Sequence, residues 1–264
     1  MAASQGKLAG LADAAELARG AQRIALGGWS FSRRPLAVAM HWAAQGLRFD
    51  ELLVLTGGIE TDLLLAAGVV QRVRGFYFGM EALGMGPGLK GGCEVIEETE
   101  TSLMLGLNAA VEGASFLPLP ARHGVALAQL RPELRSLRCP YTNDEQLAIP
   151  PLHVDVAYVH AWRADRQGNA VFAGHRAADR LLALAARQTV VTCDELVDDI
   201  TAGGVEADLT EPLVCMVVHA PGGARPGACL PCYEADWPTL LDYCALERDA
   251  VAGWARARLE GFAR

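Results

Sequence analysis

Two short apolar segments that each run into a pair of glycines constrain this chain most. Arg23-Ile-Ala-Leu26 leads into Gly27-Gly28, and Pro35 then opens an apolar helix-spaced stretch from Leu36 to Gln45 that Gly46 stops. Glu51-Leu-Leu-Val-Leu-Thr56 leads into Gly57-Gly58 and a short helix over Thr61–Ala67. Short apolar runs bounded by turn residues suit strands buried on both faces. Strands that alternate with helices across glycine turns imply β-α-β units. The same alternation continues through strands at Val73–Phe78, Glu94–Glu97 and Ser115–Pro118, with a helix over Thr101–Glu112. It resumes later with strands at Asp155–His160, Thr189–Cys193 and Cys215–His219 and a helix over Arg176–Arg187. Helices over Leu8–Arg19 and Trp237–Ala263 bracket the whole. The fold expected is α/β, an open, mostly parallel sheet with helices on both faces, in a single domain over residues 1–264.

The segment 120–151 departs from this pattern. It holds Pro120, Pro132, Pro140, Pro150 and Pro151 and has weak periodicity, so it reads as a long excursion with a short helix over Val125–Leu130. Loops of that length are usually functional or contact a partner.

Composition narrows the function. Hydrophobic residues make up 52% of the chain and charged residues 20%, which is enough to bury a large core and excludes a disordered chain. The net charge of −8 argues against a nucleic-acid partner, which needs clustered lysine and arginine. A local basic pocket still suffices for an anionic substrate. Met1 to Lys7 lacks the layout of a signal peptide, and no apolar run approaches a membrane span, so a cytoplasmic chain with no membrane association is expected. Seven scattered cysteines, an odd number, suit reduced and mostly buried thiols. Cys229-Leu-Pro-Cys232 has the spacing of zinc and redox sites. It lacks a second cysteine pair and a strand-helix start, so it is read as coincidental and no metal site is expected.

Several acids and turns carry possible chemistry. Gly27-Gly28-Trp29-Ser30 with Arg33-Arg34 is either an ordinary tight turn or a cradle for an anion, with the arginines supplying fixed charge. Gly57-Gly58 is a second such turn, and Asp62 after it reads as a helix-start acid. Glu81 lies in the apolar, glycine-rich loop Phe78-Gly-Met-Glu-Ala-Leu-Gly-Met-Gly-Pro87. Glu100 ends the acidic run Glu94-Val-Ile-Glu-Glu-Thr-Glu100, either as a solvated cap of the next helix or as a site acid. His160, Asp165, Gly168 and Asn169 mark the end of a strand. His160 reads as a satisfied buried histidine, the others as turn-formers, and Asp194-Glu195 as partner contacts or caps.

The ordered set of motifs resembles the α-subunit of the family I coenzyme A transferases, of the glutaconate CoA-transferase type. The resemblance rests on His160-x-x-x-Ala-Asp-x-x-Gly-Asn169, Asp194-Glu195, the Gly27-Gly28 turn with its later Pro35, Asp62-Leu-Leu64, and Gly79-x-Glu-x-x-Gly-x-x-Pro87. It implies a CoA-transferase that moves CoA between an acyl-CoA and a small carboxylic acid through a glutamyl-CoA intermediate. It further implies an obligate homologous β-subunit that carries the nucleophile, in an α2β2 or larger complex, with no cofactor beyond the CoA thioester itself. Gly27, Gly28, Trp29, Ser30, Arg33, Arg34, Gly57 and Gly58 become substrate- or CoA-binding positions, and Glu81 and Glu100 become catalytic candidates. The Arg33-Arg34-Pro35 run is similar to members that act in steroid-ring breakdown. This opens an alternative, a hydrolase that opens a cyclic β-keto acyl-CoA with Glu100 as base. The family's Pro-x-Gly-Ala-His-Pro loop is matched near Pro226 with Arg225 in place of the histidine. A small-molecule sensor on the same sheet, or an enzyme acting alone with Glu81 as nucleophile, are the remaining readings.

Overall fold

The computed structural model describes residues 6–262, without the side chains of 203 and 260–262. Seven strands form a parallel sheet in the order Met216–His219, Ala186–Val197, Val154–Asp165, Arg23–Leu26, Glu51–Leu53, Arg72–Gly75 and Glu94–Glu97. A short eighth, Ala170–Val171, folds back antiparallel on Val154–Asp165. The period-two alternation of strands explains the layers. Ile24 and Leu52 join the core beneath helices Leu36–Gln45 and Ile59–Ala66. Their neighbours Ala25 and Leu53 join the opposite core beneath Glu100–Glu112 and Asp179–Ala185. Helices therefore cover both faces, as the sequence implies. Gly46 takes φ 65° and ends its helix in the left-handed conformation that glycine adopts without strain. Among the described residues no helix is long and apolar enough to cross a membrane.

The structure differs from the sequence expectation in three places. The first helix is only Leu11–Glu16. The Pro-rich excursion is not an open loop. Besides the expected helix Val125–Leu130 it contains a three-stranded antiparallel sheet, with Glu145–Ile149 between Leu117–Pro120 and Arg135–Arg138. Leu119, Leu127, Leu147 and Ile149 give it a small core of its own. The C-terminal helix is two helices, Trp237–Cys244 and Val251–Phe262. The break lets two groups reach one neighbouring helix. The Tyr243 hydroxyl donates to Asp62 at 2.6 Å, and Arg248 donates to the Leu65 carbonyl at 3.0 Å.

A chain of charges ties the excursion to the sheet. Arg23 and Arg74 bond Glu51 at 2.5 and 2.8 Å. Arg74 and Arg131 bond Glu98, each at 2.6 Å, and the Ser102 hydroxyl donates to the same carboxylate at 2.5 Å. Burial alone would raise the Glu51 carboxyl, but the two guanidinium groups outweigh it and hold its pKa below the ordinary 4.5. A group depressed in the folded state contributes stability above its unfolded pKa and loses that contribution as pH falls through the folded value. Glu51→Gln is expected to cost roughly 1–2 kcal/mol at pH 7, since it leaves half-buried Arg23 without its carboxylate while Arg74 keeps Glu98. The variant should also show a flatter loss of stability than the wild type on acidification below pH 4.5. Urea melts of both proteins across pH 3–7 check this, and parallel acid limbs would contradict it.

Candidate active site

Arg23–Leu26 is the strand from which the sheet grows in two directions, with the Glu51, Arg72 and Glu94 strands to one side and the Val154, Ala186 and Met216 strands to the other. At such a reversal the loops leaving the carboxyl ends part and leave a crevice, the usual ligand site of open α/β sheets. The turn after Leu26 opens there. Gly28 has φ 91°, and a Cβ at that position would lie 2.7 Å from the carbonyls of Ser32 and Arg33, so only glycine fits.

The two arginines of this turn point inward, and both are fully buried. Arg33 bonds Asp179 at 2.6 Å, the His160 carbonyl at 3.1 Å and the His175 carbonyl at 2.5 Å, and its guanidinium lies 4.4 Å from the centre of the Phe172 ring. Asp179 also accepts the Gly28 N–H at 2.9 Å. Arg34 bonds the Ser30 carbonyl at 2.9 Å and Thr56 at 2.7 Å, and pairs with Glu60 at 3.1 Å. Glu60 in turn accepts the Gly58 N–H at 3.0 Å. The charge that sequence reading offered to a ligand is neutralised within the fold. The anion-cradle amides are engaged as well, since the Gly27 N–H donates to the Tyr158 carbonyl at 2.9 Å. Asp179 and Glu60 are the functional supports that sequence reasoning missed. Asp179 lies 146 residues from Arg33 in the chain, so no local pattern announces the pairing. Ser30 sits at φ 50°, half-buried, and among the described residues its N–H, like that of Phe31, has no acceptor.

Trp29 follows Gly28 in this turn and is half-buried. Its ring stacks on His175 with centroids 4.8 Å apart and planes 26° apart, and lies 6.1 Å from the ring of Phe76. Met104 packs in the same apolar group as Trp29 and Phe76. Glu100 precedes Met104 by four residues on the helix Glu100–Glu112, so it lies on the same face, one turn nearer the crevice. Glu81 sits on a short 3₁₀ turn at φ 49°, with its N–H donating to the Tyr77 hydroxyl at 3.2 Å. That loop is pinned twice. The Gly79 N–H donates to the Gly57 carbonyl at 2.9 Å, and buried Asp62 accepts the N–H groups of Gly88 and Leu89 at 3.0 and 2.9 Å. Asp62 is thus an anchor between elements rather than a helix-start acid alone. Both Glu81 and Glu100 are exposed, and among the described residues neither carboxylate has a hydrogen-bond or ion-pair partner.

A second cluster lies farther along the same sheet edge. The His160 ring bonds Thr192 through Nδ1 at 2.8 Å and Asp194 through Nε2 at 2.9 Å. Asp194 also accepts the Gly222 N–H at 2.6 Å. Burial by itself would raise the Asp194 carboxyl, but the bonds from His160, the Cys229 thiol and Gly222 hold it below the ordinary aspartate value. Burial and then the Asp194 charge push the Cys229 thiol up. A cavity of about 510 Å³ reaches this cluster, with Asp194, Gly222, Arg225, Cys232 and Arg258 on its wall.

The model of the coenzyme A transferase family matches residues 11–219. The A-type subunit of the 3-oxoadipate CoA-transferase from Pseudomonas knackmussii is 28% identical over 86% of this chain and 84% of its own length. The cholesterol ring-cleaving hydrolase IpdA subunit of Mycobacterium tuberculosis is 31% identical over 94% of this chain and 90% of its own. The crystal structure of glutaconate coenzyme A-transferase from Acidaminococcus fermentans superposes with a TM-score of 0.84 at 25% identity, covering 97% of this chain and 88% of that one.

The Arg33–Asp179 pair makes a direct prediction. Asp179→Ala leaves a buried guanidinium without an anion and frees the Gly28 N–H, and is expected to cost about 3–5 kcal/mol. The double variant Arg33→Met/Asp179→Leu should recover much of that loss. Thermal melts of the three proteins measure it, and a single variant as stable as the wild type would contradict the assignment.

Proposed function

The chain belongs to the coenzyme A transferase family, and from that premise we propose that it is the A-type subunit of a heteromeric enzyme that moves CoA from an acyl-CoA to a small carboxylic acid. The observation that carries this reading is that two glycine turns, the Trp29 and Phe76 rings and the exposed, unpartnered Glu81 and Glu100 all follow the carboxyl ends of the parallel strands. A homologous second subunit completes the site and supplies the glutamate nucleophile. That carboxylate attacks the thioester carbonyl, CoA leaves as thiolate and an acyl-glutamyl anhydride forms. The thiolate then attacks the glutamyl carbonyl and releases the first acid. The acceptor acid retraces these steps and departs as its CoA ester. Covalent catalysis of this kind divides one difficult displacement into easier ones.

This chain's own residues position and stabilise. The acyl group lies along Trp29 and Phe76, where a planar face gains stacking energy. The Ser30 N–H, free of any acceptor, would donate to the developing oxyanion in place of the engaged glycine amides. Glu100 and Glu81 orient the incoming acid or water. The aromatic surface also favours a second reading, in which Glu100 activates water for hydrolytic opening of a ring-bearing acyl-CoA, as the name of the mycobacterial relative describes for that protein.

The test uses the chain together with its partner, with a panel of acyl-CoA thioesters supplied with and without acceptor acids. The transferase reading expects turnover only when an acceptor is present. Release of free CoA without acceptor would overturn it in favour of hydrolysis. Trp29→Ala is expected to lower kcat/KM about 5- to 10-fold for ring-bearing or unsaturated acyl groups, the equivalent of one lost aromatic stack of ~1 kcal/mol. It should spare short saturated acyl groups. Equal losses across the panel would show that Trp29 does not contact the acyl group.

A further inference from the structure

We propose that His160, Asp194 and Cys229 form a binding site for a zinc ion at the carboxyl end of the sheet, independent of the acyl-transfer reading. His160 and Asp194 lie on the adjacent strands Val154–Asp165 and Ala186–Val197, Cys229 lies on the loop after Met216–His219, and all three are buried. One donor atom from each, the His160 nitrogen, an Asp194 carboxylate oxygen and the Cys229 sulfur, lies within 4.8 Å of the others. Ligand atoms around tetrahedral zinc stand roughly 3.3–3.8 Å apart, so the His160 and Asp194 atoms, now 2.9 Å apart, open slightly as the ion enters between them and the Cys229 sulfur.

The atoms that do not face the cluster are already held. His160 Nδ1 is fixed by Thr192 at 2.8 Å, which leaves Nε2 as the inward nitrogen. Asp194 Oδ1 is fixed by the Gly222 N–H at 2.6 Å, which leaves Oδ2 as the inward oxygen. Outer partners of this kind orient the ligands of metal centres. Imidazole, carboxylate and thiolate together suit a borderline-soft ion of zinc type rather than calcium or magnesium, which prefer oxygen alone.

The Cys229-x-x-Cys232 spacing lacks a second cysteine pair in the sequence. The fold supplies His160 and Asp194 in its place. Cys229 and Tyr233 exchange two backbone hydrogen bonds of 3.0 Å, a tight turn that brings Cys232 back beside Cys229. Asp194 lines the 510 Å³ cavity, which gives the ion a way in and a water as fourth ligand, while the Cys232 thiol on the same wall faces Glu195 at 3.7 Å. Charge also balances. On binding, the hydrogen bond from His160 Nε2–H to Asp194 breaks and that proton passes to Nδ1, which then donates to Thr192, while the Cys229 S–H proton leaves to solvent and the Zn–N, Zn–O and Zn–S bonds form. The divalent ion is then neutralised by one thiolate and one carboxylate within a buried site.

The test is metal binding by the full chain, in complex with its partner, after treatment with a chelator. Zinc added in slight excess, followed by desalting and elemental analysis, is expected to leave one equivalent per chain and to raise the Tm of the wild type. Cobalt(II) in its place is expected to give the intense visible bands of a tetrahedral site and a thiolate-to-cobalt band in the near ultraviolet. Cys229→Ser should abolish the thiolate band and lower zinc affinity about 100-fold, while Cys232→Ser should leave the band in place. No retained zinc with an unchanged Tm in the wild type would overturn the proposal, and that result does not depend on any variant folding. A thiolate band that survives in Cys229→Ser would overturn it equally, because the proposed site has no other sulfur ligand.

Discussion

Two arginine side chains with no access to solvent determine the shape of the central turn. Arg33 and Arg34 leave the Gly27–Pro35 segment in opposite directions, one to Asp179 beneath the Val154–Asp165 strand and one to Glu60 on the neighbouring helix. Buried charges are tolerated only when paired and hydrogen-bonded, so each pair dictates where the backbone between them runs. The same carboxylates also receive the amides of Gly28 and Gly58. A single network thus fixes both glycine turns at the mouth of the crevice and leaves Trp29 and Ser30 as the groups presented outward. The Arg33 Nε, Arg34 Nη1 and Glu60 Oε2 atoms lack good partners, which shows how much alignment this close arrangement gives up.

Other supports converge on the same edge. Asp62 joins the Glu81 loop and the C-terminal helices through Gly88, Leu89 and Tyr243. Glu98 joins the start of the Glu100 helix to the sheet and to the Pro-rich excursion through Arg74 and Arg131. The acids that remain exposed, Glu81 and Glu100, each sit beside one of these anchors. Rigid neighbours hold the backbone beneath them while their carboxylates stay free for a substrate or for the second chain.

Much of the fold was legible because its signals are local. Arg23–Leu26 ends at a glycine pair, Leu36–Gln45 ends at a left-handed glycine, and Glu94–Glu97 leads into a helix capped by Thr99, whose side chain accepts the Ser102 N–H. The excursion was not legible as a sheet, because Leu117–Pro120 is interrupted by prolines and Arg135–Arg138 is half charged, so neither reads as a strand without its partners. The break at Ala245 carries no glycine or proline. It follows from tertiary ties at Tyr243 and Arg248. The candidate site residues were picked by motif, but the inward turn of Arg33 and Arg34 was not foreseeable. It depends on acids that the sheet brings from distant segments. The His160–Asp194–Cys229 cluster was hidden for the same reason, since its three members are dispersed along the chain and meet only at the strand ends.

A crevice that is half of a shared site requires its other half. The most direct test is the native mass of the assembly purified from the protein's own source. A shared site predicts this chain together with a second polypeptide of similar size, in equal numbers, and no acyl-CoA turnover by the chain alone. A homo-oligomer that turns over acyl-CoA without any second chain would contradict it, and would make Glu81 and Glu100 the enzyme's own complete catalytic set.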